Sequence, residues 1–273
     1  MVKMSGVWDR TAETISDNLG AIVPIAILAY FVPISIQGSL PQTDSVTDPA
    51  LALVFALMTL GCGLLGLWGT FAITAIAAPG VRREDAGTIA RHRFLAGLFV
   101  WVVLFLVVLV LLLPVLLLFL AGGASMADLL SGDSTRVAQA IRFPVVVYLL
   151  LLSGFLMWAL ARLSLVTPVI VVEGLGLGAI RRSFVLTRGV VWAILGVSIL
   201  YFLVSGVARI ATLTVFGSLF RLLVGGGDNA LLTHVLTSIM AAMVQSAFAV
   251  LAAVFLMYLY SARIDACAPD EKA

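Results

Sequence analysis

The sequence predicts an all-α polytopic membrane protein with six transmembrane helices. Three observations carry this. The 273 residues are 62% hydrophobic and 11% charged, with a mean hydropathy of +1.18, against about a quarter charged residues in an ordinary soluble domain. The apolar residues fall in blocks long enough, at about 1.5 Å per residue, to cross about 30 Å of hydrocarbon. The polar segments between the blocks alternate between basic and non-basic, as in a chain that crosses a membrane repeatedly.

Residues 5–18, SGVWDRTAETISDN, place Val7, Trp8, Thr11 and Ile15 on one helical face and Arg10, Glu13 and Asp17 away from it. This pattern predicts a short amphipathic helix in the membrane interface. Span 1, Leu19–Ile36, contains Pro24 and Pro33, which kink a helix and mark either bends or a broken, cavity-lining segment. A polar loop over Gln37–Pro49 leads to span 2, Ala50–Ala78. There Cys62, Gly66 and Thr70 form a stripe of small residues for close helix packing, internal or across a dimer. Pro79–Arg93 carries four arginines and reads as a second interfacial segment. Span 3, Phe94–Leu120, precedes a polar loop over Ala121–Arg142. Span 4, Phe143–Val172, is longer than the bilayer requires, so it tilts strongly or breaks near Pro168. Glu173 ends it, and Gly174–Arg188 is the third basic segment. Span 5 is Val190–Val215, with an apolar continuation to Val224 and Arg209 inside it. Span 6, Ala230–Ala262, carries a second small-residue stripe of Ser238, Ala242 and Ser246.

With both termini, the 79–93 segment and the 173–189 segment on one side, that side holds Lys3, Lys272 and nine arginines. The other side holds Arg136, Arg142 and Arg221. The positive-inside rule makes the richer side cytoplasmic. Arginine outnumbers lysine fourteen to two, a bias usual in GC-rich bacteria, so the expected location is a bacterial inner membrane. A single membrane domain over residues 1–263 is expected, with a short charged tail after it. A basic segment precedes each of spans 1, 3 and 5, suggesting three units (1–78, 79–172, 173–263) of interfacial helix plus hairpin. Cys62 and Cys267 are expected to be free, and no cleavable leader is expected.

The segment Thr167–Trp192 resembles the membrane domain fused to some bacterial glycerophosphoryl diester phosphodiesterases, and related stand-alone six-span proteins. The residues that carry the resemblance are Pro168, Glu173, Gly174, Ala179, Ser183, Leu186, Thr187, Arg188, Gly189 and Trp192. It implies the six-span layout and a membrane setting. It does not carry phosphodiesterase activity over, because that chemistry belongs to a soluble metal-dependent domain which this sequence lacks. His92 and His234 are far apart, with no acidic cluster to complete a divalent site. There is no G-x-S-x-G context for a hydrolase nucleophile. Gly174–Gly178 lacks the spacing and the preceding strand of a phosphate-binding loop.

Five charged residues remain as candidates. Arg181, Arg182 and Arg188 lie beside Leu177, Ile180 and Phe184. In this arrangement guanidinium groups reach lipid phosphates while apolar neighbours enter the acyl boundary. Arg162 is an intramembrane charge with two placements open: snorkelling to the interface, or near mid-bilayer facing an anionic group. Glu173 is a candidate partner for Arg162, Arg181 or Arg182. The expected function is a non-enzymatic, lipid-associated or lipid-handling membrane protein. The rivals are a small-solute transporter with Arg162 near its pathway, and an accessory or assembly subunit. Membrane lipids, anionic ones in particular, are the expected partners, with a protein partner or a second copy as the alternative. No cofactor, metal or nucleic acid is expected.

Overall fold

The computed structural model describes residues 4–39, 48–121, 139–224 and 230–267. Residues 40–47 and 122–138 of the expected loops Gln37–Pro49 and Ala121–Arg142, the 225–229 turn and the last residues of the tail lie outside the described residues; residues 37–39 and 139–142, expected as loop, are helical. Every regular element among the described residues is helical, and six helices or helix runs are long and apolar enough to cross a membrane. The protein is a multi-pass membrane protein.

Helix α1, Met4–Asp17, places Val7 and Thr11 fully inside. Thr11 returns its hydroxyl to the Val7 carbonyl at 2.7 Å, and the Trp8 ring lies 4.7 Å from that of Phe255. Thr14 and Tyr258 share a hydrogen bond. The apolar face that the sequence assigns to the interface is therefore packed on the last long helix of the bundle.

The first membrane segment is α2, Leu19–Ala26, a π turn over Ile27–Phe31, and α3, Val32–Ser39. Pro33 has no N–H to donate and its ring crowds the carbonyl four residues back, at Ala29. The backbone widens there, and Val32 N–H reaches the Ile27 carbonyl five residues back. This is the hydrogen bond of a π turn. The turn is packed against its neighbour. Ala29 and Tyr30 are buried, and the Tyr30 hydroxyl meets Thr70 Oγ1 at 2.9 Å.

Helix α4, Pro49–Ile76, starts on the Asp48 side chain, which accepts from the Ala50 N–H at 2.9 Å. Its Gly66, Gly69 and Thr70 face the π turn. A Cβ at Gly69 would lie 2.2 Å from Ala29 Cβ, so the two backbones meet only because position 69 has no side chain. Gly66 and Thr70 of the first small-residue stripe thus serve internal packing.

Helix α5, Arg83–Ala121, is continuous for 39 residues, about 58 Å at 1.5 Å per residue. The 79–93 segment is therefore not a separate interfacial helix. It is a short turn around Gly80 followed by the first turns of span 3, with Ala86 and Ala90 buried. Nothing in Arg83–Arg93 breaks helical geometry: this stretch holds no proline, and Gly87 alone does not stop a helix.

Span 4 breaks, as one of its two expected alternatives. Helix α6, Gln139–Leu163, ends before Ser164–Leu165, and α7, Val166–Glu173, follows. Pro168 is the third residue of α7, where its missing N–H has no intrahelical partner to lose. Its ring crowds the Ser164 carbonyl, so the break falls four residues upstream of it. Helix α8, Gly178–Leu186, then leads to α9, Val191–Val224, and α10, Ala230–Cys267. Helix α10 runs beyond the expected end of span 6 into the charged tail.

The core is concentrated at one end of the bundle. It joins Phe71–Ala78, Ala86, Ala90, Leu165–Val171, Leu186 and the 250–260 stretch of α10. In α7, every side chain from Val166 to Val171 is buried. The far portions of α5, α6 and α9 instead expose rows of Leu, Val and Phe. That exposure is expected when the surrounding solvent is hydrocarbon. The second stripe, Ser238, Ala242 and Ser246, is buried too. Ser238 donates to the Gly38 carbonyl at 2.8 Å, and Ser246 to the Ala242 carbonyl. This stripe joins α10 to α3.

Candidate functional site

The chemistry-bearing side chains gather at the same end as the core, around α7 and α8. Gly174 ends α7 in the left-handed conformation, with φ of +69°, which glycine adopts without a Cβ penalty. Its N–H bonds to the Ile170 carbonyl at 3.1 Å. The Arg93 guanidinium lies directly over it: a Cβ at Gly174 would come within 2.1 Å of Arg93 Nη1, and that nitrogen donates to the Gly174 carbonyl at 3.5 Å.

Just before it, Glu173 Oε1 accepts from the buried Tyr260 hydroxyl at 2.9 Å and from Arg182 Nε at 3.1 Å. Of the three arginines that the sequence offers to Glu173, Arg182 takes it. The Arg182 side chain is 43% exposed, so this pair contributes under about 1 kcal/mol. It registers α8 against α7 and α10 more than it stabilises them.

Helix α8 is short, and its end is satisfied by named groups. A helix leaves its last four carbonyls without intrahelical partners. Here Ser183 O accepts from the Thr187 N–H at 3.0 Å and the Thr187 hydroxyl at 2.9 Å. Phe184 O accepts from Arg162 Nη1 at 3.0 Å. Val185 O accepts from the Arg188 N–H at 3.1 Å. Leu186 O accepts from Arg263 Nε at 2.8 Å, and Arg263 Nη2 reaches on to Arg188 O at 3.1 Å. Two cations at a helix C-terminus also complement its dipole.

Arg162 is thereby built into the protein. Its guanidinium carbon lies 5.5 Å from the Trp158 ring centre and 5.6 Å from that of Phe184, within range of cation–π attraction. The Arg162 carbonyl accepts from Ser183 Oγ at 2.6 Å. Backbone and side chain of one residue both hold α8, and Nε alone is buried without a partner. The guanidinium faces the end of α8 at the break in span 4.

Most of the motif residues between Pro168 and Trp192 have structural roles here. Ala179, Ser183, Leu186 and Thr187 form the buried face of the 179–187 stretch, as spacings of four, seven and eight require. Pro168 sets the break, Gly174 and Gly189 (φ +84°) take left-handed backbone, and Glu173 ties α7 to α10. Trp192 is 82% exposed at the start of α9. The apolar residues assigned to the acyl boundary divide: Ile180 and Phe184 pack on the protein, and Leu177 is exposed. Arg181, Arg182 and Arg188 are exposed. Arg209 is exposed on α9 and takes no part in the site.

Sequence reasoning missed a cavity of about 800 Å³ between α1, the start of α5, the end of α7 and the end of α10. Its polar wall is Arg10, His92, Arg93, Tyr258, Tyr260 and Asp265. These come from three parts of the chain, and no local pattern joins Arg10 to Arg93. The one signal was the stretch Tyr258–Asp265, YLYSARID, where an apolar span turns aromatic and charged. Among the described residues, no three His, Cys, Asp or Glu side chains cluster as metal ligands. Cys62 is a free thiol.

Comparison with protein-family models, with curated proteins and with solved structures finds no match to this chain.

Proposed function

We propose that this is a non-enzymatic, lipid-associated or lipid-handling protein of a bacterial inner membrane, with its core-bearing end at the anionic cytoplasmic leaflet. The observation that carries the reading is on α8. The carbonyls at the end of this helix are capped by Arg162, Arg263, Thr187 and the Arg188 amide. The side chains of Arg181 and Arg188 are exposed, and Arg182 gives only one nitrogen to Glu173. A juxtamembrane guanidinium near anionic lipid contributes about 1 kcal/mol, so three on one short segment bias which lipids surround that end. Exposed Trp192 one turn on fits a position in the headgroup belt.

The likeness of Thr167–Trp192 to the membrane domains of glycerophosphoryl diester phosphodiesterases belongs to the same reading. It is proposed as a shared way of building the α7–α8 segment, without the hydrolytic activity. The test is lipid selectivity in reconstituted bilayers, measured as the motionally restricted fraction of spin-labelled phosphatidylglycerol against phosphatidylcholine. The natural sequence should select the anionic lipid, and R181A/R182A/R188A should lose the selectivity while staying folded. Equal selectivity in both proteins would remove the basis of the proposal.

A further inference from the structure

We infer that the cavity between α1, α5, α7 and α10 binds the headgroup of one glycerophospholipid, a phosphodiester that carries a hydrogen-bond donor such as glycerol or ethanolamine. The inference rests on the lipid-associated reading above, but on different residues from those of α8.

Size and polarity come first. At about 800 Å³ the cavity falls in the range of small-molecule sites, about 300–1,000 Å³. It admits a headgroup and glycerol backbone and leaves two full acyl chains outside. Part of the lining is apolar, with Val171, Val172 and Met257, and part is charged. A ligand that meets both is amphipathic.

Charge comes next. Arg10 arrives from α1 and Arg93 from α5, with His92 beside it. Arginines on separate helices can grip a phosphate from two directions, each by a pair of parallel N–H bonds. Arg93 spends only a long 3.5 Å contact on the Gly174 carbonyl. Among the described residues, Arg10 and His92 have neither an ion pair nor a hydrogen bond. The charge is thus not consumed by the fold.

Asp265 then narrows the ligand. It lines the same cavity and is likewise unpaired among the described residues. A carboxylate there repels a bare phosphate dianion, and it accepts from a hydroxyl or ammonium on the far side of a diester. The Tyr258 hydroxyl adds a further polar group to the lining. Arg10 and Tyr258 also connect the site to α1, because Tyr258 shares its hydrogen bond with Thr14. A bound headgroup would therefore bridge α1 and α5.

The test uses the full-length protein, stripped of lipid in a mild detergent, titrated with single defined lipids and read by native mass spectrometry. One phosphatidylglycerol or phosphatidylethanolamine per chain should be retained, and diacylglycerol should not. R10Q, a change at an exposed residue without a partner among the described residues, should weaken retention about tenfold, the equivalent of one charge-assisted hydrogen bond, with unfolding unchanged. R10Q/R93Q should abolish retention. D265N should erase the preference for these headgroups over phosphatidic acid. R181A/R182A/R188A should keep the single lipid even where it loses bilayer selectivity, so failure of the α8 reading and failure of this one are distinguishable. Unchanged retention in R10Q/R93Q, or diacylglycerol held as firmly, would overturn the inference. Displacement of the lipid by glycerol phosphate at equal concentration would overturn its membrane source and assign the site to a free phosphate ester.

Discussion

Replacing Arg162 with alanine removes three interactions at once, and their sum can be worked from the geometry. The hydrogen bond to Phe184 O at 3.0 Å is charge-assisted and contributes about 1.5–3 kcal/mol. The contacts with the Trp158 and Phe184 rings add about 0.5–1 kcal/mol each. Against this, the free side chain regains about 2 kcal/mol of rotamer freedom, and the penalty of the buried, unpartnered Nε disappears. Phe184 O keeps only a long 3.4 Å bond from Thr187 Oγ1. The lost interactions total about 2.5–5 kcal/mol and the offsets about 2 or more, which leaves a net loss of about 1–2 kcal/mol. R162K retains the cation but not the planar group that stacks on two rings and donates sideways, so it should lose about 1 kcal/mol. The assay is equilibrium unfolding in mixed micelles as the mole fraction of dodecyl sulfate rises, followed by circular dichroism and by the fluorescence of Trp158 beside the site. If R162A unfolds within about 0.5 kcal/mol of the natural protein, the clamp on α8 is not what Arg162 does. If its stability is unchanged and a solute flux is lost, the transporter reading of this charge takes precedence.

Further outcomes follow from the same structure. G69V should destabilise by about 1–3 kcal/mol in the same unfolding assay, because its side chain would start 2.2 Å from Ala29 Cβ; G61V, where a Cβ meets open space, is the control. G174A should cost about 1–2 kcal/mol for its left-handed backbone, and more if Arg93 cannot move aside; a stability equal to the natural protein would contradict the α7 cap. E173Q should be nearly neutral, since the pair with Arg182 is exposed and the amide oxygen can still accept from Tyr260. E173A should lose about 1–2 kcal/mol by leaving that buried hydroxyl without an acceptor, measured by the difference between the two variants.

Much of the architecture is written in the sequence because hydrocarbon imposes simple rules. Long apolar blocks identify all six spans, since a backbone in lipid must satisfy its own hydrogen bonds. The break in span 4 is legible only as one of two alternatives, because Pro168 disfavours a continuous helix without forbidding one, as Pro114 inside the unbroken α5 shows; its position, four residues upstream, follows from where the ring crowds the backbone. The 79–93 segment misleads for a comparable reason. Charge content suggests an interfacial helix, but charge does not end a helix, and no residue after Gly80 does so. The face of α1 is also legible, while what covers it is not: amphipathicity shows that Val7 and Thr11 need a partner, and a membrane surface or α10 would both suffice. Glu173 and Arg162 are identifiable as charges requiring partners. Arg182 is among the partners that the sequence offers to Glu173, while Tyr260 and, for Arg162, the Phe184 carbonyl depend on tertiary arrangement. The cavity was the least accessible, because Arg10, Arg93 and Asp265 are separated by long stretches of chain, and the two arginines each read alone as residues that set topology.

The measurement that tests the central claim most directly is mass spectrometry of the protein extracted gently from its own membrane together with its native lipids. The account predicts an anionic lipid enriched over its share of the bulk membrane, with the enrichment reduced in R181A/R182A/R188A. A lipid complement matching the bulk membrane in both proteins, or a stoichiometric second polypeptide in place of lipid, would contradict it.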